Sequence, residues 1–388
     1  MSRPIYLDYN ATTPVAPEVA DAMLPFLHEH FGNPSSSHSF GHLAAQAVAE
    51  ARNHVAALIG ARTDEIIFTG SATEANNLAL LGVARALDET KRHLIVSAIE
   101  HPAIMAPAMH LQEQGWRLTV VQVDGFGRIS PNDIAQALQP DTALVSVMHA
   151  NNEIGTIQAI RKIARFTRER GILLHTDAAQ SAGKIPVDVD TLGVDLLTLA
   201  GHKFYATKGI GALYVRKGTP IRSILHGANQ EYALRAGTEN VPAIVGLGVA
   251  ARLARERLPL ATARLRSLRD RLHTLLADAI PGIMLNGHPE ERLPNTLHIS
   301  LPDITGRALL EEASAVVAAS LGSACHSEHD AVSGVLAAMS IDAARASGAV
   351  RLSVGAMTSD DDVTQAAVGL TAAWRHLSCK IAAKGDPF

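Results

Sequence analysis

The residues that could do chemistry stand where apolar runs end. Lys203 follows the run in LTLAGHKFYATKGIGALYV and precedes a glycine-rich hairpin sequence. A lysine held at a strand end in a partly desolvated pocket has a lowered pKa, which imine formation with an aldehyde requires. A solvated loop lysine is the plainer alternative. Asp177 closes the run in ILLHTDAAQSAGK, and Gln180 follows on the next turn. Such a carboxylate could pair with a protonated pyridine nitrogen and make the ring an electron sink, while Gln180 could donate to a ring hydroxyl oxygen. The plainer alternative for Asp177 is a helix cap.

FTGSATEANNLAL reads as strand, turn and helix, with Ala72 and Thr73 at the helix start. Free amides and the Thr73 hydroxyl there would make a phosphate cup, beside an ordinary capping box from Ser71 to Glu74. His101 in SAIEHPAI stands where an imidazole could stack on a ring and move protons, although one of 18 histidines could equally be structural. Cys325 in LGSACHSEHDAVSGVL has small neighbours, and His326 and His329 could favour its thiolate. Cys379 has no such context and reads as incidental.

The elements that must hold these residues alternate along the chain. Seven short runs, EIIFTG, RHLIVSAIEH, RLTVVQVD, TALVSVMHANN, ILLHTDAAQ, VDLLTLAGHK and GIGALYVRK, are separated by Ala- and Leu-rich helical stretches. That rhythm predicts an α/β fold with a mostly parallel, fully covered sheet, whose ligand crevice lies beyond the carboxyl ends of the strands. Past residue 255 the pattern changes to a long helix, ATARLRSLRDRLHTLLADAI, and then to short elements. The expectation is a large domain over 16–255 and a smaller α+β domain over 256–388, joined by residues 1–15.

A chain of 388 residues with 47% hydrophobic content can bury a large core. A net charge of -4 and no basic run with interleaved aromatics argue against nucleic acid as a partner. No apolar run approaches membrane-spanning length and MSRPIYLDYNATTP lacks signal-peptide character, so a cytoplasmic location is expected. Two cysteines exclude a tetrathiolate metal site within one chain, and no metal is expected.

Together these stretches resemble the cysteine desulfurase and selenocysteine lyase family of aminotransferase-like, fold-type I pyridoxal-phosphate enzymes. The resemblance covers nearly the whole chain, from YLDYNATTP and FGNPSSSHSFG through TGSATEANN, EHPAI, MHANNEIGT, HTDAAQ and GHK to RAGTENV, LPNT, GSACHS and VRLSVG. It implies pyridoxal 5′-phosphate as cofactor, a seven-stranded large-domain sheet, and Lys203 as the lysine joined to the cofactor. His101 would stack on the ring, Asp177 would bind its nitrogen, and Gln180 would contact its oxygen. Thr73 and His202 would bind the phosphate, with Thr238 of RAGTEN reaching in from the second subunit of a homodimer. Asn152 and Arg351 would hold the substrate carboxylate, which suits the guanidinium fork. Cys325 would accept the chalcogen.

One departure concerns the phosphate: many desulfurases carry SGHK, whereas this chain has Ala200, so one hydrogen bond is expected to be missing. The substrate stays open between L-cysteine and L-selenocysteine. ACHSEH looks more like the lyases than like desulfurases with SACTSG or RSGHHC, while Pro102 after His101 is the desulfurase pattern. In the expected reaction Lys203 removes the Cα proton, and the Cys325 thiolate takes the substrate sulfur as a persulfide, leaving L-alanine. Selenium would leave more directly. A protein that accepts sulfur or selenium is a further expected partner. Two alternatives remain: another fold-type I enzyme, such as a β-eliminating lyase or aminotransferase, and an inactive sulfur-carrier scaffold.

Overall fold

The computed structural model describes residues 3–87, 89–322 and 333–384. Each of the seven apolar runs forms one strand of a single sheet. Its order is Ile66–Thr69, Gly211–Val215, Leu196–Ala200, Leu173–Asp177, Thr142–Ser146, His93–Ser97 and Arg117–Val121. Gly211–Val215 runs antiparallel to both neighbours, and the remaining pairs are parallel. The sheet is therefore the mostly parallel one that the sequence pattern predicts.

Alternate side chains of these strands enter two different cores, as a pleat with period two requires. Ile66, Phe68, Ile95, Val145, Leu197 and Tyr214 pack on the face covered by the helix Ser39–Leu58. Ile67, Leu94, Val96, Leu144, Leu196 and Leu213 pack on the other, under the helices Ala72–Ala86 and Pro102–Glu113. With both faces covered, the strands read as continuous apolar runs rather than as alternating ones.

A further apolar cluster lies toward the end of the chain, around the antiparallel sheet Ala349–Ser353, Thr296–Ser300 and Met284–Leu285 and the helix Asp360–Lys384. The first residues join it: Leu7 is buried there, and Ile5–Tyr6 pairs in parallel with Val317–Ala318. One helix, Val241–Ala279, serves two cores. Val241, Ile244 and Leu247 enter the core beneath the large sheet, whereas Leu265, Leu268, Leu272 and Leu276 enter the later cluster. It starts at Asn240, whose side chain accepts from Ala243 N at 3.3 Å, and it runs unbroken through residue 255. Among the described residues no helix is long and apolar enough to cross a membrane.

Candidate active site

The strand ends converge on a cavity of about 350 Å³. Ala72, Thr73, His101, Asn152, Asp177, Gln180, His202, Lys203 and Arg351 all line it. Thr238 does not line it among the described residues and is exposed. Cys325 lies outside the described residues, but Gly322 before it and Gly334 after it border the cavity.

Asp177 ends its strand buried, only 7% exposed. One carboxylate oxygen accepts from Asn76 Nδ2 at 2.8 Å and the other from Ala179 N at 2.9 Å. Among the described residues no cationic side chain bonds to it. Lys203 Nζ donates to the carbonyls of Asn10 at 2.7 Å and Ala11 at 2.8 Å, so the N-terminal segment fixes the amine. His101 caps the helix Pro102–Glu113, its Nδ1 accepting from Ala103 N at 3.1 Å, which puts the proton of the neutral ring on Nε2. Burial pushes its pKa down; Asp177 opposes that shift and Lys203 adds to it.

At the start of Ala72–Ala86 the Ser71 hydroxyl accepts from Glu74 N at 3.1 Å. The Glu74 carboxylate takes Gly70 N at 2.8 Å and Arg235 Nε at 2.8 Å. Capping thus coexists with a cup, because the amides of Ala72 and Thr73 find no acceptor among the described residues. Gly211 makes the close packing feasible. A Cβ there would lie 2.7 Å from Ser71 C and 2.8 Å from Ala72 N. His202 Nδ1 stands 3.2 Å from Thr12 Oγ1, and burial with nearby Lys203, Lys208 and Lys184 brings its pKa to about 4. It is a neutral hydrogen-bonding group there. Ala200, which stands where many desulfurases carry serine, presents a buried methyl to the cavity and no hydroxyl.

Arg351 sits in the strand Ala349–Ser353. Its Nη1 donates to the carbonyls of Asn152 at 3.0 Å and Gly322 at 2.7 Å, and its Nη2 donates to Asp8 Oδ1 at 2.7 Å and Ser320 Oγ at 2.8 Å. Its Nε is buried without a partner among the described residues. The two asparagines of HANNE divide their work. Asn151 is fully buried and shapes the turn, its Oδ1 accepting from Glu153 N and Ile154 N, while Asn152 lines the cavity.

Several functional neighbours carry no signal at single positions. Asp8 and Asn10 lie in YLDYNATTP, and both reach the site from early in the chain, Asp8 at Arg351 and Asn10 at Lys203. Glu100, beside His101, is buried, and its Oε1 accepts from Ser97 Oγ at 2.5 Å and Met148 N at 2.9 Å. Burial raises its pKa to about 8.

The set fits a flat aldehyde that carries a phosphate and a cationic ring nitrogen. Lys203 supplies the amine, and, among the described residues, Asp177 supplies a carboxylate with no cation bonded to it and the Ala72 helix amides with no acceptor. Residues 5–366 match the model of the aminotransferase class-V family.

The chain belongs to that family.

Curated relatives include "Cysteine desulfurase IscS" of Dictyoglomus turgidum, 46% identical over 364 residues, 94% of this chain and 92% of that one. The protein of the same name from Methanosarcina thermophila is 45% identical, covering 93% of this chain and 90% of its own. Among solved structures, a NifS-like protein matches with a TM-score of 0.90 at 36% identity, over 96% of this chain and 100% of that one. A structure titled "SspA in complex with cysteine" matches with a TM-score of 0.81 at 36% identity, over 90% of this chain and 98% of that one. These likenesses bear out the family resemblance of the sequence and its fold-type I architecture.

Proposed function

We propose that this class-V aminotransferase is a cysteine desulfurase, which takes sulfur from L-cysteine and leaves L-alanine with pyridoxal 5′-phosphate bound in the cavity. The observation that carries the reading is a buried carboxylate, Asp177, with no cationic partner among the described residues, in the same cavity as the Lys203 amine. The names of its relatives support sulfur as the chalcogen. When bound, the cofactor supplies a sink for the electron pair left at Cα.

The chain's own residues do the rest. Lys203 Nζ removes the Cα proton, and Asp177 keeps the ring nitrogen protonated. His101 covers the ring, and Gln180 donates to the ring oxygen. The Ala72 and Thr73 amides, the Thr73 hydroxyl and His202 hold the phosphate. Arg351 and Asn152 hold the substrate carboxylate. The Cys325 thiolate bonds to the substrate sulfur as the Cβ–S bond breaks; sulfur leaves as the Cys325 persulfide, the electron pair left at Cβ is protonated, and the proton on Lys203 returns to Cα to give alanine. L-Selenocysteine is the second substrate, and a sulfur-accepting protein takes the persulfide sulfur. Thr238 serves the phosphate of a second copy in a homodimer, and the protein works in the cytoplasm. The separate apolar clusters support a division into a large unit over 16–255 and a small one over 1–15 and 256–388.

Turnover of both substrates by the purified protein, with alanine measured, tests the reading. Cys325→Ala is expected to stop alanine formation from L-cysteine while leaving measurable activity on L-selenocysteine, since selenium needs less help to depart. Pyruvate and ammonia in place of alanine would establish β-elimination instead. Full desulfurase activity in Cys325→Ala would remove the persulfide step.

A further inference from the structure

We propose that Lys184 is a positioning residue that acts through Gln180 on the ring-oxygen end of the bound cofactor; this rests on the reading of Gln180 given above. Lys184 is only 6% exposed, and among the described residues no carboxylate pairs with it. Lysines are seldom buried unpaired, because the stem gains little that a methionine would not and the amine loses water. Its Nζ has one hydrogen-bond partner among the described residues, Gln180 Oε1 at 2.8 Å. Burial pushes its pKa well down, and the nearby charges of Lys203 and Arg351 push the same way. Charged or neutral, the nitrogen still donates.

That donation assigns both ends of the Gln180 amide. Oε1 faces Lys184, and Nε2 donates to Asn10 O at 2.9 Å, the carbonyl that also accepts from Lys203 Nζ at 2.7 Å. The second hydrogen of Nε2 is then the one left for the cavity, which Gln180 lines. An amide whose oxygen accepts from an amine is a stronger donor through its nitrogen. A stronger donor at the ring oxygen draws electron density from it and weakens its hold on a proton at the neighbouring nitrogen of Lys203. The turn that delivers Lys184 depends on Gly183, which has φ +75° and where a Cβ would lie 2.9 Å from Phe204 Cβ.

The experiment follows the visible absorbance of the cofactor-loaded protein against pH. In Lys184→Met the midpoint of the colour change is expected to rise by on the order of one pH unit. Gln180→Leu should raise it at least as far, and the double variant no further than Gln180→Leu alone, because Lys184 acts through Gln180. Lys184→Gln, which keeps a donor without the charge, should fall between wild type and Lys184→Met. A midpoint in folded Lys184→Met that matches wild type overturns the proposal, as do a Lys184→Gln midpoint no lower than that of Lys184→Met and additive shifts in the double variant. Failure of both Lys184 variants to fold would assign the residue to the core alone and overturn it equally. A wild-type protein with no visible band would instead sink the reading of the cofactor itself.

Discussion

On the wall of the cavity built by the seven-stranded sheet, Asp177 is held by a neutral amide and a backbone N–H, with no cation closing on it among the described residues. On the wall built by the three-stranded sheet, Arg351 is already closed against Asp8, Ser320 and two carbonyls. The first arrangement leaves a buried negative charge waiting for a permanent positive partner. In the second, both Nη atoms are already engaged when the cavity is empty, and one of those bonds must be exchanged to admit a substrate carboxylate. A resident group suits one wall, and a visitor suits the other.

The largest effect should come from the sheet wall. Lys203→Ala is expected to lower alanine formation by about 10⁴-fold and to abolish the borohydride-reducible link between protein and cofactor. A link that survives would move the amine elsewhere and leave the first wall without its chemistry. Asp177→Asn separates charge from shape. Cofactor affinity should fall by about 10²-fold, while the cofactor-free protein melts at a higher temperature, because an uncompensated buried charge has gone. A lower melting temperature for that cofactor-free variant would mean that the carboxylate is not held in waiting.

Asp8→Asn probes the other wall, with the opposite pairing of signs. Removing the resident competitor should lower KM for L-cysteine several-fold with kcat nearly unchanged, while stability falls because Arg351 loses its carboxylate. If KM rises or stays unchanged while the melting temperature falls, Asp8 is not the group that substrate replaces.

The smallest effects are in pH dependence. Glu100, at about 8, stays protonated in the fold at pH values where the unfolded chain has ionised. The native state then binds more protons, so this group lowers stability as pH rises from about 4.5 to about 8. His175 and His149, each held near 4 chiefly by burial, act in reverse and lower stability as pH falls from about 6.5 to about 4. Glu100→Gln should therefore gain melting temperature over wild type at pH 8 and little at pH 5. Equal gains at both values would show that its carboxyl is not shifted.

The seven strands and the residues at their ends were legible because burial on both faces writes unbroken apolar runs, and strand-end Asp177, His101 and Lys203 follow those runs directly. The cup at Ala72 was legible for the same local reason. Asp8, Asn10 and Lys184 were not, since their roles depend on partners brought together by folding. Asp8 meets Arg351 across 343 positions. The early start of Val241–Ala279 did leave a signal, Asn240 followed by Val241 and Pro242, an N-cap with proline in the first turn. The change of pattern after residue 255 records instead the point at which the helix passes from one core to the next.

The contacts of residues 8–10 also bear on when the site can exist. Asn10 N donates to Ser353 Oγ across 343 positions, and Asn10 O holds the Lys203 amine. At about 5–20 residues per second, a ribosome needs on the order of half a minute after releasing Asn10 to deliver Ser353. The sheet can form during that interval, but the lysine is not fixed until both ends of the chain have met. Cofactor capture is thereby expected only after Ser353 has been made, and a nascent chain stalled before residue 350 would carry the sheet without a finished pocket.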